Sequence, residues 1–355
     1  MIVLGKIYFK SSSIRAQLLL GFLLFFISCA GERNQYVISG NTMGTTFLVK
    51  LVSSESGIDI QPIEVGIDSI LIKLNREMST WDPKSEISKF NSHKSLEPFP
   101  ISNDLIHVID NSIDVSKKTN GLFDITVYDL MRIWGFGPNP MSAFPNNNDI
   151  AQVLNFTGYE NIEIKNKNLS KSNERIKLDL NAIAKGFGVD KVFEFVRSKG
   201  FEDVFVEIGG EARCHGKNRK NKSWSIGIED PMVNGITQSD ISAILSLNKN
   251  AIATSGNYRN IVNLDGEILG HTINPKTGFP IQTDVISVTV LSQLCMIADA
   301  WATALMVMDH NTGYAKVEGE SGIDAVWILQ DSSEGKRFFS TSGKIKINKM
   351  KYPFK

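Results

Sequence analysis

Residues 177–193 read KLDLNAIAKGFGVDKVF, and the division of this stretch decides the fold around it. Ile176, Leu178 and Leu180 alternate with polar neighbours, the pattern of a half-buried strand end. Small residues, Lys185 and the glycines at 186 and 188 follow; Val189, Val192, Phe193 and Val196 then recur at helical spacing. The reading is a strand that passes through a glycine-relieved turn into a helix. Such a junction aims backbone N–H groups and the positive end of the helix dipole at whatever lies above it, which suits phosphate. Gly186 and Gly188, lacking Cβ atoms, would let a ligand approach the backbone closely. The spacing matches neither the dinucleotide fingerprint G-x-G-x-x-G nor a Walker A loop. An ordinary strand-to-helix junction with a surface lysine is the competing reading, and the rest of the chain must choose between them.

The start of the chain stands apart from the fold. Lys6, Lys10 and Arg15 form a basic leader ahead of an apolar run from Leu18 to Ile27, shorter than the roughly 20 residues of a membrane-spanning helix. Phe26-Ile27-Ser28-Cys29-Ala30 looks like a lipobox, so residues 1–28 read as a signal peptide and Cys29 as a lipidated mature N-terminus. Plain secretion with a free Cys29 is the alternative; both place the mature protein outside the cytoplasm. Residues 29–355 then form one globular unit, since no Pro/Ser-rich linker, low-complexity tract or internal repeat divides them.

Of the three cysteines, Cys214 and Cys295 remain, and two distant residues make no disulfide framework. No CxxC pair or Cys/His cluster has zinc spacing. The 38 basic and 38 acidic side chains cancel, leaving no electrostatic footprint for nucleic acid. Strand patterns at 36–39 and 45–51, 203–208, 224–228, 241–247, 251–254, 285–291 and 324–329 are separated by short turns or by helical stretches such as 63–74 and 105–113. Without a regular βαβ period, the class is α/β to α+β, with mixed, largely antiparallel sheets and packed helices.

Chemistry concentrates at two further places. Residues 296–308 read as a helix apolar on nearly every side, yet it carries Asp299, and Thr303 four residues on shares its face. A carboxylate there must be paired, hydrogen-bonded or bound to a cation, and hard cations such as Mg²⁺ take carboxylate, hydroxyl and carbonyl oxygens. A cap on backbone amides is the alternative role for Asp299. His271 opens the turn-rich loop HTINPKTG (271–278), where an imidazole could act as a base near neutral pH.

GNTMGTTF (40–47), MSTWDPKSEISKFN (78–91), GLFDITV (121–127), WGFG (134–137), LDLNAIAKGFGVDKV (178–192), EIGGEARCHG (207–216), HTINPKTG and ADAWATALMV (298–307) stand in the order and spacing of the ApbE family. The chain resembles those proteins over essentially all of its mature length. The resemblance implies a T-fold-like domain that binds FAD and Mg²⁺ and transfers FMN to a threonine hydroxyl of a target flavoprotein, releasing AMP. Family members are often lipid-anchored on the extracytoplasmic face of a membrane. By motif, Met43, Trp81, Leu122, Phe123, Asp124, Asp179, Lys185 and Ile273 would contact FAD. Asp299, Thr303 and the Ala182 carbonyl would bind the metal, and His271 or Asp124 would be the general base. Trp81 stands where tyrosine is common, and Glu207 precedes the double glycine where asparagine is frequent. If water replaces threonine, the same site is an FAD pyrophosphatase, and a non-enzymatic flavin carrier would need the pocket without the metal ligands.

Overall fold

The computed structural model describes residues 33–355 apart from 139, 142, 232–240, 248–249, 257–260, 265–266, 332–335, 344 and 346, and only the backbone at 261–264 and 267–269. Residues 1–28 and Cys29 therefore lie outside the described residues. No helix among those described is long and apolar enough to cross a membrane.

The frame is an antiparallel sheet of eight strands: β1 (Asn34–Thr42), β2 (Thr45–Ser53), β3 (Asp203–Ile208), β4 (Glu211–His215), β5 (Ala251–Gly256), β6 (Val285–Ser292), β7 (Asp324–Gln330) and β8 (Arg337–Thr341). Each strand pairs with the next, so order in space follows order in sequence. The alternating pattern explains the two faces. Val204, Val206, Ile208, Ala251 and Ala253 point to one side, while Ala212, Cys214, Ile252, Val326 and Ile328 point to the other.

Helices cover the first face. The long insertion between β2 and β3 supplies α1 (Gln61–Met78), α2 (Glu86–Ser92), α3 (Asn103–Lys118), the short α4 (Tyr128–Ile133) and α5 (Asn147–Leu154), and α6 (Ala184–Ser198). Between β6 and β7 come α7 (Cys295–Val307) and α8 (His310–Glu318). A three-stranded sheet built from 224–229, 241–247 and 347–350 packs on the second face through Trp224, Ile228, Leu245 and Leu247. The expected α+β architecture with mostly antiparallel pairing is what forms, and α7 is buried on almost every side, as its composition requires.

The opening stretch folds differently from its reading. Residues 177–180 join no sheet, although Ile176, Leu178 and Leu180 are all buried. Leu178 exchanges two hydrogen bonds with the side-chain amide of Asn91: its N–H donates to Oδ1 at 2.7 Å, and its carbonyl accepts from Nδ2 at 2.8 Å. The Asp179 N–H donates to the Ile125 carbonyl at 2.7 Å. An amide side chain thus stands in for a neighbouring strand, which satisfies the backbone without a ladder. The turn occupies residues 181–183, so both glycines fall inside the first turns of α6.

Nor does Gly186 open the backbone to a ligand. A Cβ there would lie 2.5 Å from the Cys295 carbonyl oxygen and 2.8 Å from the Met296 Cα. The missing side chain lets the N-terminal turns of α6 and α7 cross at backbone contact. At Gly188 the neighbours are side chains, Ile208 at 3.2 Å and Met43 at 3.3 Å.

Gly186→Ala separates these demands. Alanine is the better helix former by about 1 kcal/mol. Here, however, the new methyl group meets backbone, and overpacking of that kind costs about 1–3 kcal/mol. Urea or thermal unfolding of the ligand-free protein should show a net loss of stability. Stability equal to or above wild type would mean that the helices part without cost.

Candidate active site

Lys185, Asp299 and Glu211 meet where α6, α7 and the β3–β4 turn converge. Lys185 Nζ lies 3.1 Å from Glu211 Oε1 and 3.9 Å from Asp299 Oδ2, and it donates to the Asn181 carbonyl at 3.4 Å. Asp299 Oδ2 also accepts the Gly186 N–H at 3.1 Å. The α6 N-terminus, expected to face a phosphate, therefore gives one of its amides to a carboxylate of the chain itself. That contact supplies the capping role for Asp299, on the neighbouring helix rather than its own.

The same contact leaves oxygens without their usual hydrogen-bond partners. In a regular helix the Gly186 N–H would pair with the Ala182 carbonyl. Among the described residues no donor pairs with that carbonyl, and none reaches Asp299 Oδ1. Thr303 Oγ1 sits one turn along α7, 3.3 Å from Ser255 Oγ at the end of β5. No three His, Cys, Asp or Glu side chains cluster as a metal centre among the described residues. The set present is one carboxylate, one hydroxyl and one backbone carbonyl: oxygen ligands that fit Mg²⁺ with room for waters and phosphate.

Electrostatics follow from counting charges. Burial pushes the Glu211 carboxyl up to about 7, against the pull of Lys185, with Asp299 adding repulsion. Burial likewise raises Asp299, offset in part by Lys185 and the Gly186 N–H. Burial works against the Lys185 ammonium, but the carboxylates of Asp299 and Glu211 outweigh it and its pKa is raised. One cation serves two carboxyls, so a divalent ion would relieve the imbalance. Glu211 Oε2 is buried and has no hydrogen-bond partner among the described residues.

Of the remaining candidates, Met43 packs against α6. Met43 occupies the two-residue β1–β2 turn with φ 49°, a left-handed conformation that costs a non-glycine residue on the order of 1 kcal/mol. Its half-buried side chain lies against Gly188 of α6. Asp179 Oδ1 and Oδ2 accept from the backbone and side chain of Asn181 at 2.8 and 3.2 Å, which shapes the turn carrying Ala182. Asp124 accepts from the Thr126 N–H and hydroxyl at 2.8 and 2.6 Å and from the Tyr159 N–H at 2.7 Å. Burial raises its pKa against those bonds, and the carboxyl holds its own loop. Phe123 is buried beside it, while Leu122 is half-buried. Trp81, by contrast, is 64% exposed in the loop after α1.

His271 lies in the connection between β5 and β6. Its ring meets Phe136 edge-on, with centroids 6.4 Å apart. The loop is stapled by the Trp134 indole N–H, which donates to the Gly278 carbonyl at 2.6 Å, and by Ile273, which is buried and bridged to Pro280. Gly278 has φ 75°, and Ile150 Cγ2 would sit 2.5 Å from a Cβ there.

The family model described as "ApbE family" matches residues 43–327. The chain belongs to the ApbE family. An FAD:protein FMN transferase of Vibrio cholerae is 39% identical over 328 residues, spanning 92% of this chain and 97% of the relative. One from Haemophilus influenzae is 36% identical, over 81% and 85% of the two chains. The solved flavin transferase ApbE from Vibrio cholerae superposes with TM-score 0.79 at 38% identity, covering 88% of this chain and 98% of that one. The apo form of the Pseudomonas stutzeri flavinyl transferase ApbE gives 0.78 at 30% identity, covering 89% and 96%.

Within this ApbE-family site, Glu211 is the residue that motif reading passed over in favour of Glu207. Glu207 accepts from the Gly210 N–H and shapes the turn. Gly209 and Gly210 have φ 60° and 101°, and this hairpin carries Glu211 to Lys185. No local signal in the sequence marks Glu211, because its burial and its partner Lys185 are set by tertiary contacts.

The Glu211 shift has a definite sign. Its folded pKa exceeds that of an unfolded glutamate, so its contribution to stability is present at low pH and lost as pH rises toward about 7. Glu211→Gln should remove that loss. Relative to the variant, the metal-free wild type should have a lower melting temperature at pH 8 than at pH 5. A pH-independent difference would show that Glu211 is ionised throughout.

Proposed function

We propose that this chain is an FAD:protein FMN transferase that uses Mg²⁺ to move FMN from FAD onto a threonine hydroxyl of a target flavoprotein, releasing AMP. The observation that carries the reading is the set of oxygens at the α6–α7 crossing, the Asp299 carboxylate, the Thr303 hydroxyl and the Ala182 carbonyl left without its helical partner, with Lys185 beside it, in a chain aligned with named transferases over most of its length. Asp299, Thr303 and the Ala182 carbonyl would hold the metal. The ion would supply Lewis-acid stabilisation of charge on the diphosphate.

The chain's own groups do the rest. Lys185 places an ammonium where phosphate charge grows as the threonine oxygen attacks the FMN phosphorus and the bond to the AMP phosphate breaks. His271, on its stapled loop, takes the hydroxyl proton on a ring nitrogen; Asp124, with its three local donors, orders the pocket wall instead. Met43, Trp81, Leu122, Phe123, Asp179 and Ile273 line the approach for FAD, and the exposed Trp81 indole offers the flavin or adenine a stacking face. FAD hydrolysis remains the reaction of the same site when no acceptor is present. The Asp299–Thr303 pair on one face of α7 argues against a simple flavin carrier, which has no use for metal ligands.

Asp299→Asn tests this reading while keeping an oxygen for the Gly186 N–H. AMP release from FAD and flavin incorporation into an acceptor domain should fall by orders of magnitude across a Mg²⁺ titration, with the fold retained. Near-normal turnover would place the metal elsewhere.

The lipobox-like Phe26–Ala30 sequence carries a second part of the proposal, attachment to the extracytoplasmic face of a membrane through Cys29. Cys29→Ser should shift the protein from the membrane fraction to the soluble one with activity intact. A wild-type protein that is soluble and carries no acyl mass would overturn it.

A further inference from the structure

We propose that Asp190, held by Arg213, is a positioning residue for the metal ligands, setting the distance between those on α6 and those on α7. The inference rests on the Mg²⁺ reading above.

The proposed ligands come from two helices. Ala182 precedes α6, whereas Asp299 and Thr303 belong to α7. How the two N-termini cross therefore sets the shape of the donor set. Gly186 brings them to backbone contact, but contact alone does not fix how one helix slides or rotates against the other.

Asp190 supplies that register. It lies one turn beyond Gly186 on α6 and is buried. Its Oδ1 accepts the Cys295 N–H at 3.0 Å and its Oδ2 the Met296 N–H at 2.9 Å. These are the first two residues of α7, whose own N-cap Leu294 provides no side-chain cap. A single cap needs one oxygen; two oxygens on successive amides also fix rotation. Arg213 Nη1 lies 2.9 Å from Asp190 Oδ1 and 2.9 Å from Glu194 Oε1, and its guanidinium stacks over Phe193 at 4.2 Å. The carboxylate is thereby neutralised and its rotamer locked. Asp299, four residues after Cys295, returns the arrangement by accepting the Gly186 N–H, so each helix caps the other. Changing Asp190 should leave every ligand in place and loosen only their relation.

The experiment measures metal binding separately from turnover. Calorimetric titration of the FAD-free protein with Mn²⁺ or Mg²⁺, and AMP release against Mg²⁺ concentration, are compared for wild type, Asp190→Asn, Arg213→Met and Arg213→Lys. Loss of a group that orients metal ligands typically weakens metal affinity about 10–100-fold. We expect Asp190→Asn to shift both titrations by a factor in that range, with turnover largely recovered at saturating Mg²⁺ and FAD affinity in EDTA unchanged. Arg213→Met should shift them in the same direction, and Arg213→Lys should restore much of the loss. If Asp190→Asn does not fold, the Arg213 pair decides the outcome. Variants that melt earlier but titrate like wild type would overturn the proposal alone, making Asp190 a plain helix cap. A wild type without metal dependence would overturn the metal reading, and this proposal with it.

Discussion

The crossing of α6 and α7 at Gly186 is the constraint on which the rest of this structure depends. Two helix N-termini, each with unpaired amides and a positive dipole end, meet at backbone distance. Left alone they would repel and leave buried donors unsatisfied. Asp299 and Asp190 resolve this reciprocally, each helix giving a carboxylate to the other's first turn. Such a carboxylate at a helix start typically contributes 0.3–1 kcal/mol, up to about 2 when partly buried.

Consequences for chemistry follow from that solution. Diverting the Gly186 N–H to Asp299 removes the usual partner of the Ala182 carbonyl, so the cap and the unpaired oxygen arise from one hydrogen bond. The same buried carboxylate calls for a cation. Lys185 answers it while shared with Glu211, and the surplus of negative charge is what a bound divalent ion would cancel. The eight-stranded sheet delivers the other parts to this point. The β1–β2 turn brings Met43 to α6, the β3–β4 turn brings Glu211 to Lys185, and the end of β5 sets Ser255 beside Thr303. These three chain segments reach the two helices because neighbouring strands end along one edge of a sequentially ordered sheet.

The parts of the candidate site that sequence reading singles out carry local signals. Asp299 was conspicuous as a lone acid in an apolar helix, and Thr303 shared its face by spacing alone. Lys185 stood out at a helix start, and the antiparallel character of the sheet followed from short turns between alternating strands. Glu211 was missed because a single acid in a short strand has no local signature; its role exists only through Lys185, in a different element. Residues 177–180 were misread for a related reason. Alternation reports burial, and burial was right, but the hydrogen-bond partner turned out to be the side chain of Asn91, 87 residues away.

The sequence by itself determined most of the elements, the faces they bury and several residues of unusual chemistry, since periodicity, composition and capping act over a few residues. Only the tertiary structure decided what those residues meet. Gly186 could have admitted a phosphate or a helix, and the arrival of Cys295 settled it in favour of the helix. The partners in the reciprocal caps are 113 and 105 residues apart. No local pattern encodes a contact of that range; it exists because the sheet carries α6 and α7 on the same face and packs their first turns together.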